Sequence, residues 1–103
     1  MTFVAKLNDA IDRNQSIWCL GLDPNPEVMP EQYRRLYDRD SHHLHVVEIL
    51  WDWMQTIIEQ TADLVCAYKP TLGFYTALGA PGFDLLTKTL GAIPDGIPVI
   101  LDA

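Results

Sequence analysis

The sequence is poor in cysteine and in positive charge, and it has no long apolar run. Only Cys19 and Cys66 occur, with no Cys-x-x-Cys spacing. Both fall in stretches expected to be buried strands, so they read as small core residues in a reducing compartment rather than as a disulfide. Seven Lys and Arg stand against fourteen Asp and Glu, a formal net charge of −7. That balance argues against a nucleic-acid partner, which needs a basic face to neutralise phosphates. It leaves room for a small anionic ligand, since a few local cations and backbone N–H groups suffice for one phosphate. No stretch reaches the ~20 apolar residues that span a bilayer. The first six residues lack a basic segment followed by an apolar one, so no leader is expected. No membrane partner is expected, and the cytoplasm is the expected location. No phosphate-cradling Gly-x-Gly-x-x-Gly or Walker pattern is present, nor any low-complexity segment or linker.

What is present is a soluble globular pattern: 103 residues, 49% hydrophobic and 20% charged, enough for one small domain with a core. Three short apolar runs share a design. Ser16-Ile17-Trp18-Cys19-Leu20-Gly21-Leu22-Asp23 ends on an aspartate before Pro24. Asp63-Leu64-Val65-Cys66-Ala67-Tyr68-Lys69-Pro70 ends on a lysine before a proline. Pro98-Val99-Ile100-Leu101-Asp102 ends on another aspartate. Runs this short suit strands buried on both faces, as in a parallel sheet. Expected strands cover about 16–22, 64–69 and 97–102.

Helical spacing fills the intervals. Phe3, Leu7, Ala10 and Ile11 predict a first helix over about 3–14, capped by Thr2. The 23–27 segment, with Pro24 and Pro26, is expected to be irregular. Pro30 opens a short helix over 31–37. Ser41 is the expected cap of a long helix reaching about 61, with Leu44, Val47, Trp51, Met54 and Ile58 in one apolar stripe. Val46, Leu50, Trp53 and Ile57 widen it, and core packing is the expected use of this stripe. A helical turn is expected at 74–78 and a helix at 83–90, ended by Gly91. The order helix, strand, helix, strand, helix, strand predicts an α/β fold with parallel strands and right-handed crossovers.

Parallel strands put their carboxyl ends on one edge, so Asp23, Lys69 and Asp102 are expected to converge. A buried lysine between two aspartates is held charged by them, and they by it. Such a set suits polar substrate groups and electrostatic or proton-transfer catalysis. The plainer alternative is an ion-pair network that caps the sheet. His42, His43 and His45 cluster near a helix start. With no cysteine or paired carboxylate motif beside them, they read as a polar first turn rather than metal ligands. Tyr33, Arg34, Arg35 and Tyr37 lie beside Asp38 and Asp40, which suits a solvated helix face better than an anion patch.

Cys-Leu-Gly-Leu-Asp-Pro-Asn-Pro-Glu (19–27), Ala-Asp-Leu-Val-Cys-Ala-Tyr-Lys-Pro (62–70), Gly-Phe-Tyr-x-Ala-x-Gly (73–79) and Ile-Pro-Val-Ile-Leu-Asp-Ala (97–103) together resemble the orotidine 5′-phosphate decarboxylase family, in its longer bacterial branch. Each motif is weak alone, but all stand in order at an expected strand end or the loop after it. The resemblance implies a TIM (β/α)8 barrel, of which residues 1–103 would be the N-terminal portion: the first helix, three parallel strands and their crossovers. It implies a homodimeric, cofactor-independent lyase that converts orotidine 5′-phosphate to uridine monophosphate and CO₂ in pyrimidine synthesis. Asp23 would bind ribose hydroxyls. Lys69 would bind the ribose and organise the charges. Asp102 would open the family's Asp-x-Lys-x-x-Asp motif beside the scissile carboxylate. The motif's proton-donating lysine and its last aspartate are not among the 103 residues, nor are the phosphate-gripping loops. Thr71 stands where many members carry asparagine. A whole barrel takes about 250 residues, so three strands cannot close, and the third is expected to be a raw apolar edge needing cover from another chain. The alternative is a non-catalytic fragment or assembly subunit whose edge pairs with another chain.

Overall fold

A computed structural model of the chain describes residues 2–40 and 45–103. The expected cap Ser41, the first stripe residue Leu44, and His42 and His43 lie outside the described residues. Helix α1, Phe3–Asn14, starts where the Thr2 hydroxyl accepts the Ala5 N–H at 3.1 Å. It packs Ala10, with Leu7 and Ile11, against Cys66 and Ala67. Its last residue ties it to the start of the second strand. The Asn14 amide donates to the carbonyls of Ala62 at 3.0 Å and Val65 at 2.8 Å, fixing the entry of that strand.

Strand β1, Cys19–Gly21, pairs in parallel with β2, Ala67–Lys69, in the register Cys19 with Ala67, Leu20 with Tyr68 and Gly21 with Lys69. Both strands are shorter than the apolar runs that contain them. Residues 97–102 lie parallel to β2 on its other side, but as two separate bridges, Tyr68 to Val99 and Thr71 to Asp102. Pro70 is the cause. Tyr68 both donates to Pro98 O and accepts from the Ile100 N–H, and Asp102 donates to Pro70 O. The next rung needs an N–H from residue 70, which proline lacks, so the ladder is interrupted between its two bridges.

The sheet is covered on one face only, which corrects the expectation of strands buried on both. Leu20, Tyr68 and Val99 share a face and join the main core. Cys19, Gly21, Lys69 and Ile100 point the other way and are exposed. Cys19 is therefore an exposed thiol, and only Cys66 is a core residue. Among the described residues nothing lies over that open face beyond the amino end, where α1 buries Ala67.

Four helices build the covered side. Helix α2, Glu31–Arg39, follows a 3-10 turn at Pro26–Val28, which makes the end of the proline-rich segment more regular than expected. Helix α3, Val46–Thr61, buries Ile49, Leu50, Trp53, Met54 and Ile58 and packs on α2 and on the last helix. Its buried line is centred on Leu50 and Met54, with Val47 and Trp51 only partly covered. The Tyr33 hydroxyl reaches Thr56 at 3.0 Å, joining α2 to α3. Helix α4, Leu72–Thr76, begins two residues before the expected turn.

Helix α5, Ala80–Ala92, is longer than expected at both ends. Pro81 and Gly82 look like breakers, yet proline suits a first helical turn, and Gly79 precedes it at φ 73°, a conformation glycine takes at no steric cost. Gly82 is required by space. A Cβ there would stand 1.7 Å from the Tyr75 carbonyl oxygen, so α5 begins in direct contact with the α4 backbone. Gly91 continues the helix rather than ending it. Leu22, Leu50, Met54, Tyr68, Tyr75 and Leu85 are fully buried in the resulting core, where burial of each large apolar side chain contributes about 1.5–3 kcal/mol.

Candidate functional site at the carboxyl edge of the sheet

The three strand-end charges fall on one edge, and the sheet register explains how. Lys69 is the last residue of β2, and Asp102 bridges to Thr71, two positions further along. The Lys69 Nζ stands 3.5 Å from Asp102 Oδ2. Their side chains are 47% and 50% exposed, so the pair is screened and adds at most about 1 kcal/mol to stability. Lys69 is thus not the buried lysine that the sequence pattern suggests. It lies on the open face, with its ammonium accessible.

Asp23 shares the edge but not the ion pair. Its Oδ1 accepts the Thr71 backbone N–H at 2.8 Å, and among the described residues no salt bridge joins it to Lys69. The Thr71 side chain takes no part in that bond, so any residue with a backbone N–H, that is any but proline, could make it at 71. The arrangement offers two carboxylates and an ammonium along the carboxyl edge of the sheet. Chemically it can accept hydrogen bonds from hydroxyls, donate from the lysine, and hold a fixed alternation of charge against a polar ligand.

Tyr75 is a residue of this edge that sequence reading passed over. It is fully buried, and its hydroxyl donates to the Leu22 carbonyl at 2.6 Å, one residue before Asp23. Burial pushes its phenol up to about 12; Thr89 beside it acts in the opposite sense and the Asp23 charge in the same sense. The sequence signal was an aromatic pair, Phe74-Tyr75, directly after a strand. Nothing in the pattern said which ring turned inward.

Two clefts lie away from this edge. One of about 450 Å³ is lined by Lys6, Asp9, Arg13, Asp95 and Gly96, and one of about 300 Å³ by Leu36, Arg39, Asp40, His45 and Ile49. Neither contains a strand-end charge. His45 stands 3.7 Å from Glu48, and no group of three or more His, Cys, Asp or Glu among the described residues could hold a metal. No helix among the described residues is long and apolar enough to cross a membrane.

No family model matches the chain. It is 57% identical, over all of its length, to the bifunctional enzyme PyrF/PyrE of Nostoc sp., of which it covers 20%. It is 44% identical to orotidine 5′-phosphate decarboxylase of Herpetosiphon aurantiacus, with 98% of this chain and 34% of that protein aligned. In structure it resembles OMP decarboxylase of Leishmania donovani with a TM-score of 0.72 and 31% identity, covering 100% of this chain and 33% of that one. UMP synthase of the same organism gives 0.70 and 31%, covering 100% and 19%. The chain thus spans about a third or less of the relatives it matches. Along its whole length the chain is similar in sequence and fold to one portion of proteins named orotidine 5′-phosphate decarboxylase, and its open parallel sheet with helices is consistent with part of a barrel.

Proposed function

We propose that this chain supplies part of the active site of an orotidine 5′-phosphate decarboxylase barrel, a single domain of which residues 1–103 form the N-terminal portion. The observation that carries this reading is the Lys69–Asp102 pair at the carboxyl edge of a parallel sheet, where barrels of this kind keep their chemistry. The substrate is orotidine 5′-phosphate and the product uridine monophosphate. Asp23 accepts hydrogen bonds from ribose hydroxyls. Lys69 donates to the ribose and holds Asp102 in place. Asp102 stands beside the scissile carboxylate.

The physical demand fits these groups. Loss of CO₂ leaves an electron pair on the pyrimidine ring, so fixed charges must favour the transition state over the bound substrate. Asp102 opposes the negative substrate carboxylate and ceases to do so as CO₂ departs. The lysine that protonates the ring carbon and the phosphate-binding groups are not among these 103 residues, so we expect the chain to be inactive alone. The exposed Ile100 and Leu101 suit an edge covered by the next barrel strand, and the working enzyme is read as a cytoplasmic homodimer.

The test is a chimaera in which this chain replaces the matching segment of the Thermomicrobium roseum decarboxylase, 45% identical to it. The chimaera should consume orotidine 5′-phosphate, followed by ultraviolet absorbance loss. A folded chimaera without turnover would overturn the reading and favour a non-catalytic assembly subunit.

A further inference from the structure

We infer that the Tyr75 hydroxyl is a positioning group for Asp23, because it satisfies the backbone carbonyl toward which the ladder would otherwise draw the N–H that holds Asp23 in place. This rests on the reading of Asp23 as a substrate-binding residue.

The ladder between β1 and β2 sets the geometry. Gly21 pairs with Lys69, and the Leu22 N–H donates to Lys69 O at 3.2 Å. One more step of a parallel ladder would send the Thr71 N–H to the Leu22 carbonyl. Neither group makes that bond. The Leu22 carbonyl takes the Tyr75 hydroxyl at 2.6 Å, and the Thr71 N–H goes to Asp23 Oδ1 at 2.8 Å. Two side chains have thus replaced one rung.

The exchange has a direction. A buried carbonyl must find a donor, and Leu22 and Tyr75 are both fully buried. With Tyr75 present the carbonyl is satisfied, and the Thr71 N–H is left for the carboxylate. Without the hydroxyl, the nearest donor in register is the Thr71 N–H itself. Leu22 then recaptures it, β1 and β2 zip one rung further, and Asp23 loses its anchor. Tyr75 itself cannot drift, since Gly82 sets α5 directly against its carbonyl oxygen. The hydroxyl touches no substrate in this scheme and acts only through Asp23.

The experiment is a double-mutant cycle in the chimaera, with kcat/KM and the Thr71 amide proton shift (15N-threonine labelling) as readouts. Tyr75→Phe, which keeps the ring, should lower kcat/KM about tenfold, as expected for losing an anchor to a charged group. In an Asp23→Asn background the same change should cost less than about twofold, because the two act as one unit. The Thr71 amide should move upfield in Tyr75→Phe, as it should in Asp23→Asn. Equal losses in both backgrounds, or a Thr71 amide unmoved by Tyr75→Phe, would overturn the inference. Thr71→Pro deletes the same donor from the other side and should reproduce the loss, again only when Asp23 is present. It decides the matter should Tyr75→Phe not fold. If Asp23→Asn alone changes nothing, the site assignment fails, while the Thr71 shift still judges the role of Tyr75.

Discussion

The two faces of the sheet use the same three strand segments for opposite purposes. On the covered face, Leu20, Tyr68 and Val99 pack into a core with Leu50, Met54 and Leu85. On the open face, Cys19, Gly21, Lys69 and Ile100 are exposed. Alternation along a strand separates them by a single residue. Stability therefore belongs to the inward position of β2, Tyr68, and the chemistry we propose to Lys69 and the charges beyond it. Substitutions should divide the same way: those on the open face should cost activity with little stability, and those in the covered core, Tyr75 beside Asp23 excepted, the reverse.

The largest effect should come from Lys69→Ala in the chimaera. Removing a fixed charge from such a site typically costs about 10²–10³ in kcat, whereas a half-exposed ion pair adds little to folding. Steady-state kinetics should show that loss while the melting temperature stays nearly constant. Lys88→Ala, on the exposed side of α5, should change neither. Equal kinetic losses for the two lysines would mean that the open edge is not the site.

Next comes the covered face. Met54 is fully buried between helices and sheet, so Met54→Ala should cost about 2–5 kcal/mol in urea unfolding, as cavity-forming substitutions do. Turnover per folded molecule should be unchanged. Gly82→Ala tests the same side by overpacking, since its Cβ has no space beside the Tyr75 carbonyl.

How much of this division was legible in the sequence depends on what each signal encodes. The helices came from apolar spacing, and α1 with its Thr2 cap could be read almost residue by residue. The edge charges came from each run ending on Asp or Lys, the first two directly before a proline. What could not be read was depth. An apolar run such as Ile17-Trp18-Cys19 looks like a two-sided core strand, yet Ile17 is 86% exposed. Its hydrophobicity suits surfaces that the described residues do not supply. Pro70 likewise looked like a strand terminator. It also interrupts the ladder on its other side, a consequence of register that periodicity does not carry. Pro81, Gly82 and Gly91 misled for a related reason. The first is good for a helix start, the second serves close packing, and the third is tolerated in an exposed turn.

A smaller effect distinguishes the faces by pH. The Tyr75 phenol has its folded-state value raised to about 12 by burial. Such a group favours the folded chain fully below its ordinary value near 10, and the contribution disappears as pH climbs through about 12. The shift corresponds to roughly 2–3 kcal/mol. Tyr68, raised by burial as well, loses stability in the same direction. Unfolding followed between pH 9 and 12 should therefore show a steep alkaline decline that Tyr75→Phe makes shallower but does not abolish. An unchanged decline would mean that Tyr75 is not held neutral by the core.

The smallest effect should sit at Ile100, beside Lys69 on the open face and 38% exposed. In the 103-residue chain, Ile100→Ser should move stability by no more than about 0.5 kcal/mol, the usual range for a surface change. In the chimaera, where the remaining strands would close over that face, the same substitution becomes a buried polar replacement and should cost about 1–3 kcal/mol. Denaturant titration of both proteins measures the difference directly. Identical costs would show that the open face stays solvated in the complete protein, and the contrast between the two sides of the sheet would then be a permanent property of the fold.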